Sequence, residues 1–353
     1  MIKGADKEVH GSVAFWSEGG SAIGMGHVAR SLNIALAVIG RGMSARFLVN
    51  DDAAVRGRIE DFGVAYRICG SHLAAALETT DGVVVIDTKR DIREDVRGLK
   101  DRGRKVVVID NLCAVDIADK TIIPSAVAYG LPPNDKILAG KEYVIIGEGF
   151  RRVREERRRP VYGLPLKVLV TMGGADPFGL TEKVVAAIAG MEGIEATVVL
   201  GPAKRITPEL DGLKINKPGW MEFVHGVKDM ATLMSTVHIA FTAIGTTVYE
   251  LAYMGVPTVL IANYAEDRET LSALGSTGAF VSLGVGIDVS GEMIRGAVES
   301  FKNNGERYAS MSGRASALID GNGASRVAGV IEALINPPSP PFTKGGIKGG
   351  LRR

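Results

Sequence analysis

The chain has 353 residues, of which 46% are apolar and 23% charged, and 42 Lys and Arg against 40 Asp and Glu leave a formal charge of +2. That length suggests about two domains, and so even a charge balance gives no electrostatic case for nucleic acid or an anionic membrane as partner. Two cysteines, Cys69 and Cys113, exclude a disulfide framework and a cysteine-built zinc site.

Short β-branched runs predict strands at Ser12–Trp16, Ala45–Val49, Val83–Asp87, Val106–Asp110, Lys167–Thr171, Ala196–Leu200, Ile239–Thr242 and Thr258–Ile261, with helical patterns between most of them. Alternating strand and helix signals imply βαβ units and parallel sheets, hence an α/β fold. Val83–Ile86 and Val106–Ile109 are apolar throughout, as strands covered on both faces are. The series occurs twice. Between its halves lies Arg151–Pro165, RRVREERRRPVYGLP, which reads as a solvated basic helix running into a linker. The expected division is therefore 1–150, a linker 151–165, and 166–335. Residues 336–353, rich in Pro, Gly and Lys, read as a disordered tail. The first residues, MIKGADKEVHGSV, lack an apolar stretch of the signal-peptide kind, and no apolar run is long enough to span a membrane, so a cytoplasmic location is expected.

Glycines cluster where the predicted strands end. The first cluster is Gly20–Arg30, GSAIGMGHVAR, which follows a strand and opens a helix whose buried face is predicted at Val28, Leu32, Ala35, Leu36 and Ile39. Gly24 and Gly26 leave backbone N–H groups free to hold an anion at the positive end of the helix dipole. The same dipole disfavours imidazolium at His27 and biases it toward a proton acceptor. Arg30, three residues on, shares nearly the same face and suits a phosphate or carboxylate. The alternative is a plain βα turn with a capping histidine. The full G-x-G-x-x-G fingerprint and its acidic partner are missing, which argues against a dinucleotide cofactor.

The second cluster is Thr171–Pro177, TMGGADP. Gly173 and Gly174 let a ligand approach the backbone, Asp176 can cap, and Pro177 fits a first helical position. The third is Thr242–Glu250, TAIGTTVYE, where Gly245, Thr246 and Thr247 open a helix in a manner that suits a diphosphate. Glu250, one turn in, can accept hydrogen bonds from ribose hydroxyls or simply favour the helix dipole. Asp87 and Asp110 end apolar strands, where ligands collect in open α/β sheets, and Glu266 and Asp267 follow another strand toward the same edge. His225 and His238 read as surface or core histidines. His10 and His72 have no motif around them. No H-x-x-x-H spacing and no G-x-S-x-G elbow occurs, so neither a metal nor a cofactor is expected.

These motifs, in this order over residues 12–335, resemble the GT-B architecture of two Rossmann-like domains with parallel sheets facing across a cleft that takes a nucleotide-sugar. The third is similar to that of the glucosaminyltransferase of peptidoglycan synthesis. The set most resembles the UDP-2,4-diacetamido-2,4,6-trideoxy-β-L-altropyranose hydrolases of pseudaminic acid biosynthesis and the related spore-coat polysaccharide proteins. The resemblance rests on Ile23–Arg30, Val170–Pro177, Ile244–Leu251 and Gly255–Pro257, and more weakly on Gly140–Phe150. It implies that His27 is the catalytic base and that Gly245, Thr246, Thr247 and Glu250 hold the UDP diphosphate and ribose. It further implies an inverting attack of water at C1 without metal. The chain departs from the family at Trp16-Ser17-Glu18, Thr88-Lys89 and Asn111, and at Asp267-Arg268 within Ala265–Arg268, which face the sugar.

The expected activity is thus hydrolysis of a UDP-linked amino or deoxy sugar. The competing readings are an inverting glycosyltransferase with a sugar or lipid acceptor, an epimerase, and a non-catalytic nucleotide-sugar binding protein.

Overall fold

The computed structural model describes residues 11–336 apart from 21–22, 71, 79–81, 128–129, 133 and 157–159. Two sheets organise it. The first contains β1 (Ser12–Ser17), β2 (Ser44–Val49), β3 (Ala65–Ile68), β4 (Val83–Asp87), β5 (Lys105–Ile109), β6 (Lys120–Ile123) and β7 (Ile137–Ala139), in the order β3-β2-β1-β4-β5-β6-β7. The second contains β8 (Leu166–Thr171), β9 (Ile194–Leu200), β10 (Met221–His225), β11 (Ile239–Ala243), β12 (Thr258–Ala262) and β13 (Phe280–Val285), in the order β10-β9-β8-β11-β12-β13. Every strand pair in both sheets is parallel. Both are doubly wound, and their strand order reverses between β1 and β4 and between β8 and β11.

The strands absent from the sequence reading are β3, β6, β7, β10 and β13. Four of these are the sheet edges, where short, half-exposed segments such as Ala65–Ile68 carry little apolar pattern. Val106–Asp110 needs a correction at its end: the strand stops at Ile109, and Asp110 leaves it with φ 57.

The first sheet is wrapped by α1 (Gly26–Gly40), α2 (Ala53–Glu60), α3 (His72–Leu77) and α4 (Arg93–Asp101). After it comes α5 (Glu148–Glu156). The second carries α6 (Leu180–Ile188), α7 (Pro208–Ile215), α8 (Met230–Met234), α9 (Thr246–Met254), α10 (Arg268–Ser276), α11 (Gly291–Lys302) and α12 (Gly305–Leu318), followed by α13 (Gly323–Ile335). Helix α1 buries Val28, Ser31, Leu32, Ile34, Ala35 and Val38, whereas the predicted core residue Ile39 is 42% exposed. The buried stripe is rotated from the expected one because α1 packs on two sides, against the sheet and against α13, which adds Val327, Ala328 and Ile331 to the first sheet's core. Residues 323–335, grouped with the second half in the sequence reading, therefore cover the first.

The chain crosses between the halves at residues 143–146. Tyr143 and Ile145 pack on the core of the first sheet, and Val144 and Ile146 lie in a core of the second, the alternation of an extended segment. The start of α13 presses on this crossing. A Cβ on Gly323 would lie 2.1 Å from the Val144 carbonyl oxygen, so only glycine fits. Helix α5 is not the solvated helix expected: Val153 is buried, and Arg154 donates to the carbonyls of Tyr253 and Ser316 and stacks on the Tyr253 ring. Residues 1–10 and 337–353, including His10 and nearly all of the expected tail, lie outside the described residues.

Candidate functional site

In doubly wound sheets, ligands bind beyond the carboxyl ends of the strands where the strand order reverses. Most of the predicted site residues lie at those two places, while Asp110 follows β5 and Glu266 and Asp267 follow β12. His27 follows β1, and Asp87 ends β4, the strand paired with β1 at Ser17. Gly173 and Gly174 follow β8, and Gly245, Thr246 and Thr247 follow β11.

At the first reversal the side chains lock onto one another. The Asp87 carboxylate is fully buried, with His27 Nδ1 2.7 Å from Oδ1. Arg30 grips it bidentately, Nη2 to Oδ1 at 2.7 Å and Nε to Oδ2 at 2.9 Å, while Ser31 Oγ donates to Oδ2. The third Arg30 arm, Nη1, donates to Asp110 Oδ2 at 2.9 Å. Asp110 is presented by its left-handed backbone, and its N–H donates to Ile122 O. Burial alone would raise the Asp87 carboxyl. The Arg30 guanidinium, and then the Arg30 and His27 hydrogen bonds, outweigh it and hold Asp87 below the ordinary carboxylate range. Burial likewise opposes the Arg30 charge, but Asp87 and Asp110 raise its pKa well above normal. Asp87 is therefore an acceptor only. In the neutral imidazole, the His27 proton sits on Nδ1, and Nε2 carries the lone pair. Arg30, expected to face a ligand anion, is committed to these two aspartates.

The turn before His27 is closed by reciprocal hydrogen bonds between Gly20 and Gly24, with Ser21 and Ala22 between them outside the described residues. Gly24 has φ 85, and a Cβ on Gly24 or Gly26 would touch nothing within 4 Å. Among the described residues no side chain caps α1.

At the second reversal the groups are backbone. Gly245 starts α9 without a side-chain cap, in an extended conformation any residue could adopt, and a Cβ there would meet nothing. No described group hydrogen-bonds the Thr246 or Thr247 hydroxyls. Gly173 has φ 81, and its carbonyl and that of Gly174 are packed against Gly201, while Ala203 N donates to Gly174 O. Asp176 does cap, but from further out than expected: α6 begins at Leu180, not Pro177, and Asp176 accepts from Leu180 and Thr181 N–H. Asp176 is strained at φ 43 and held with Glu182 by the buried Lys204 ammonium, at 2.9 and 2.7 Å.

Glu250 lies half-buried on α9 with no hydrogen-bond donor among the described residues. Burial pushes its carboxyl up to about 7, with Arg58 of α2 opposing weakly. Glu266 and Asp267 form a short turn after β12. Burial raises the Asp267 carboxyl, against the Tyr264 backbone and the Lys89 ammonium from the first half.

Sequence reasoning missed two arrangements. Tyr249, inside the third motif, reaches across to the first half: its hydroxyl is 3.0 Å from Ser125 Oγ, which itself donates to Val127 O. Burial raises the Tyr249 phenol, so it stays protonated and donates. Glu18 accepts from Arg90 Nη1 at 2.8 Å and from Thr88 Oγ1 at 3.1 Å, and lies 3.5 Å from His72, which stacks on Trp16. Neither has a local spacing signal, because the partners are far apart in the chain.

No family model matches the chain. An uncharacterized protein of Methanocaldococcus jannaschii is 24% identical over 274 residues, 73% of this chain and 57% of that one. The spore coat polysaccharide biosynthesis protein SpsG of Bacillus subtilis is 26% identical over 206 residues, 57% of this chain and 59% of that one. The chain thus spans less than two thirds of either curated relative. Among solved structures, MurG of Acinetobacter baumannii superposes with TM-score 0.64 at 15% identity, covering 91% of this chain and 99% of that one. The calicheamicin glycosyltransferase CalG4 gives 0.66 at 15%, covering 94% and 99%. Anabaena HepE in complex with UDP-glucose gives 0.61 at 12%, covering 91% and 99%. Two doubly wound parallel sheets that superpose over nearly whole chains of this kind make the architecture of this protein GT-B, with two Rossmann-like domains.

Proposed function

We propose that the chain cleaves the anomeric C–O bond of a UDP-linked amino or deoxy sugar, with water as nucleophile, in surface-glycan biosynthesis. One observation carries the reading: the 2.7 Å contact of His27 Nδ1 with buried Asp87, which leaves Nε2 to receive a proton at the edge of the first sheet. His27 takes a proton from water as its oxygen attacks C1 from the face opposite the diphosphate. The C1–O bond breaks, UDP departs with the electron pair, and the sugar is released with inverted configuration. The starts of α1 and α9 supply N–H groups toward the leaving diphosphate, a preorganised contribution of about a few kcal/mol. Glu250 takes the ribose hydroxyls. Similarity to SpsG supports the glycan context, and the structural likeness to HepE in complex with UDP-glucose supports the ligand class.

A second reading, transfer to a sugar or lipid acceptor, is favoured by the likeness to CalG4. The test follows UDP and free sugar by NMR while the protein is incubated with a panel of UDP-, CMP- and GDP-sugars. Release of UDP with an inverted free anomer, lost in His27→Asn, is the expected result. UDP binding without release, relieved by adding an acceptor, would replace hydrolysis by transfer. Full activity in His27→Asn would overturn the mechanism.

A further inference from the structure

Strands β8 and β12 both neighbour β11, so the loops leaving their carboxyl ends flank the Gly245 turn that follows it. Those loops meet. Phe178, after the Gly173–Pro177 segment, and Tyr264, after β12, pack edge to face with ring centroids 5.2 Å apart and an interplanar angle of 86°. Neither ring is a core residue: Phe178 is 57% exposed and Tyr264 51%. Two large aromatic faces in contact with each other and with solvent, at the edge that carries the third motif, are more than the scattered apolar residues any surface shows.

Their surroundings are polar in a particular way. Glu266 and Asp267 follow Tyr264 in the same loop, both acceptors when ionised. Helix α9 leaves β11 toward one sheet face, where Val248 and Leu251 are buried. Helix α6, which Phe178 precedes, packs on the other face through Leu180 and Val184. A ligand seated on the Gly245 turn thus has the α9 N-terminus on one side and the aromatic pair on the other.

We propose that Phe178 and Tyr264 form the platform for the pyranose ring of the donor, with Glu266 and Asp267 accepting from its hydroxyl or acetamido edge. The inference rests on the nucleotide-sugar reading of this site and deepens it. A pyranose has an apolar C–H face and a rim of donors, which is the complement of exposed aromatic faces bordered by carboxylate acceptors. A diphosphate is not, since carboxylates beside the rings would repel it. The pair confers affinity for the sugar and leaves the nucleotide to α9.

Calorimetric titration with UDP, UDP-glucose and UDP-N-acetylglucosamine tests this, in a His27→Asn background so that turnover does not consume the ligand. The parent protein should bind at least one UDP-sugar more tightly than UDP. In Phe178→Leu and Tyr264→Leu that gain should shrink roughly tenfold while UDP affinity stays within about twofold, and Tyr264→Phe should keep the gain. Both rings are half-exposed, so the leucine variants should fold. An equal loss for UDP and UDP-sugar would place the rings on the nucleotide and overturn the proposal. So would an unchanged gain, or a parent protein that binds every sugar no more tightly than UDP. Failure of the parent to bind UDP at all would instead remove the nucleotide-sugar reading, and this inference with it.

Discussion

At the β1/β4 reversal the groups at the strand ends are side chains fastened to one another; at the β8/β11 reversal they are backbone N–H groups, with two threonine hydroxyls and a carboxyl that have no hydrogen-bond partner among the described residues. The topology is the same at both. The difference lies in how charge is settled. In the first, Asp87 is buried but carries hydrogen bonds from Arg30, His27 and Ser31, so its charge is satisfied before any ligand arrives. In the second, Glu250 is desolvated without a hydrogen-bond partner among the described residues, and a Cβ on any of the turn glycines would meet nothing. A group that must move a proton needs a fixed orientation, and a group that must grip a ligand needs unmet hydrogen-bonding capacity. Under the proposed reaction, the first half does the chemistry and the second the binding.

The largest expected effect tests that division directly. His27→Asn should lower turnover by about 10²–10⁴-fold, the usual worth of a general base, with UDP affinity unchanged in calorimetry. A parallel fall in UDP affinity would mean that the two halves do not divide the work.

Arg30→Ala should be next. It removes the guanidinium charge from the buried Asp87 carboxylate, leaving it the His27 and Ser31 hydrogen bonds, and losing one partner of a buried pair costs about 3–5 kcal/mol of stability in urea unfolding. The linkage has a definite sign. Because Asp87 has a depressed pKa in the folded state, its contribution is present above its ordinary value of 3.8 and is lost as pH falls through the folded value. The stability difference between wild type and Arg30→Ala should accordingly narrow on acidification toward pH 3.8 and below.

Glu250 gives the opposite sign. Its folded pKa near 7 lies above the ordinary 4.5, so its contribution to stability is present below 4.5 and is lost as pH rises through about 7. Glu250→Gln should be more stable than wild type by roughly 1–3 kcal/mol at alkaline pH, with the gain vanishing in acid. The same substitution should weaken UDP binding about tenfold at alkaline pH. Wild-type affinity for UDP should rise with pH through about 7, with proton release on binding visible as a buffer-dependent heat. A flat pH profile would break the assignment of Glu250 to the ligand.

The smallest effect probes what joins the halves. Tyr249→Phe and Ser125→Ala should each cost about 1 kcal/mol, and a double-mutant cycle should show coupling of similar size. Additive effects would mean that the 3.0 Å contact holds nothing together.

The alternation of strands and helices was legible because buried parallel strands such as Val83–Ile86 are apolar without interruption. The glycine turns were legible because left-handed conformations at Gly24 and Gly173 leave glycine as the unstrained choice. The edge strands were not, because half-exposed segments can be almost any composition. The rotated face of α1 was hidden for a related reason: its second neighbour, α13, lies almost 300 residues further along the chain. The helix face alone points Arg30 toward a ligand, because nothing local encodes the arrival of Asp87 and Asp110 from the ends of two other strands.

By itself the sequence determined the class of fold, the positions of the three glycine turns and the candidacy of His27, since each follows from local periodicity, backbone conformation or helix-end electrostatics. Tertiary structure alone decided that Asp87 orients His27 and that Arg30 serves Asp87. It likewise decided that Tyr249 ties the halves together and that Phe178 meets Tyr264. Each of these is a contact between segments widely separated along the chain. Such contacts form only when strand order brings the carboxyl ends of particular strands side by side, and no local pattern encodes that order.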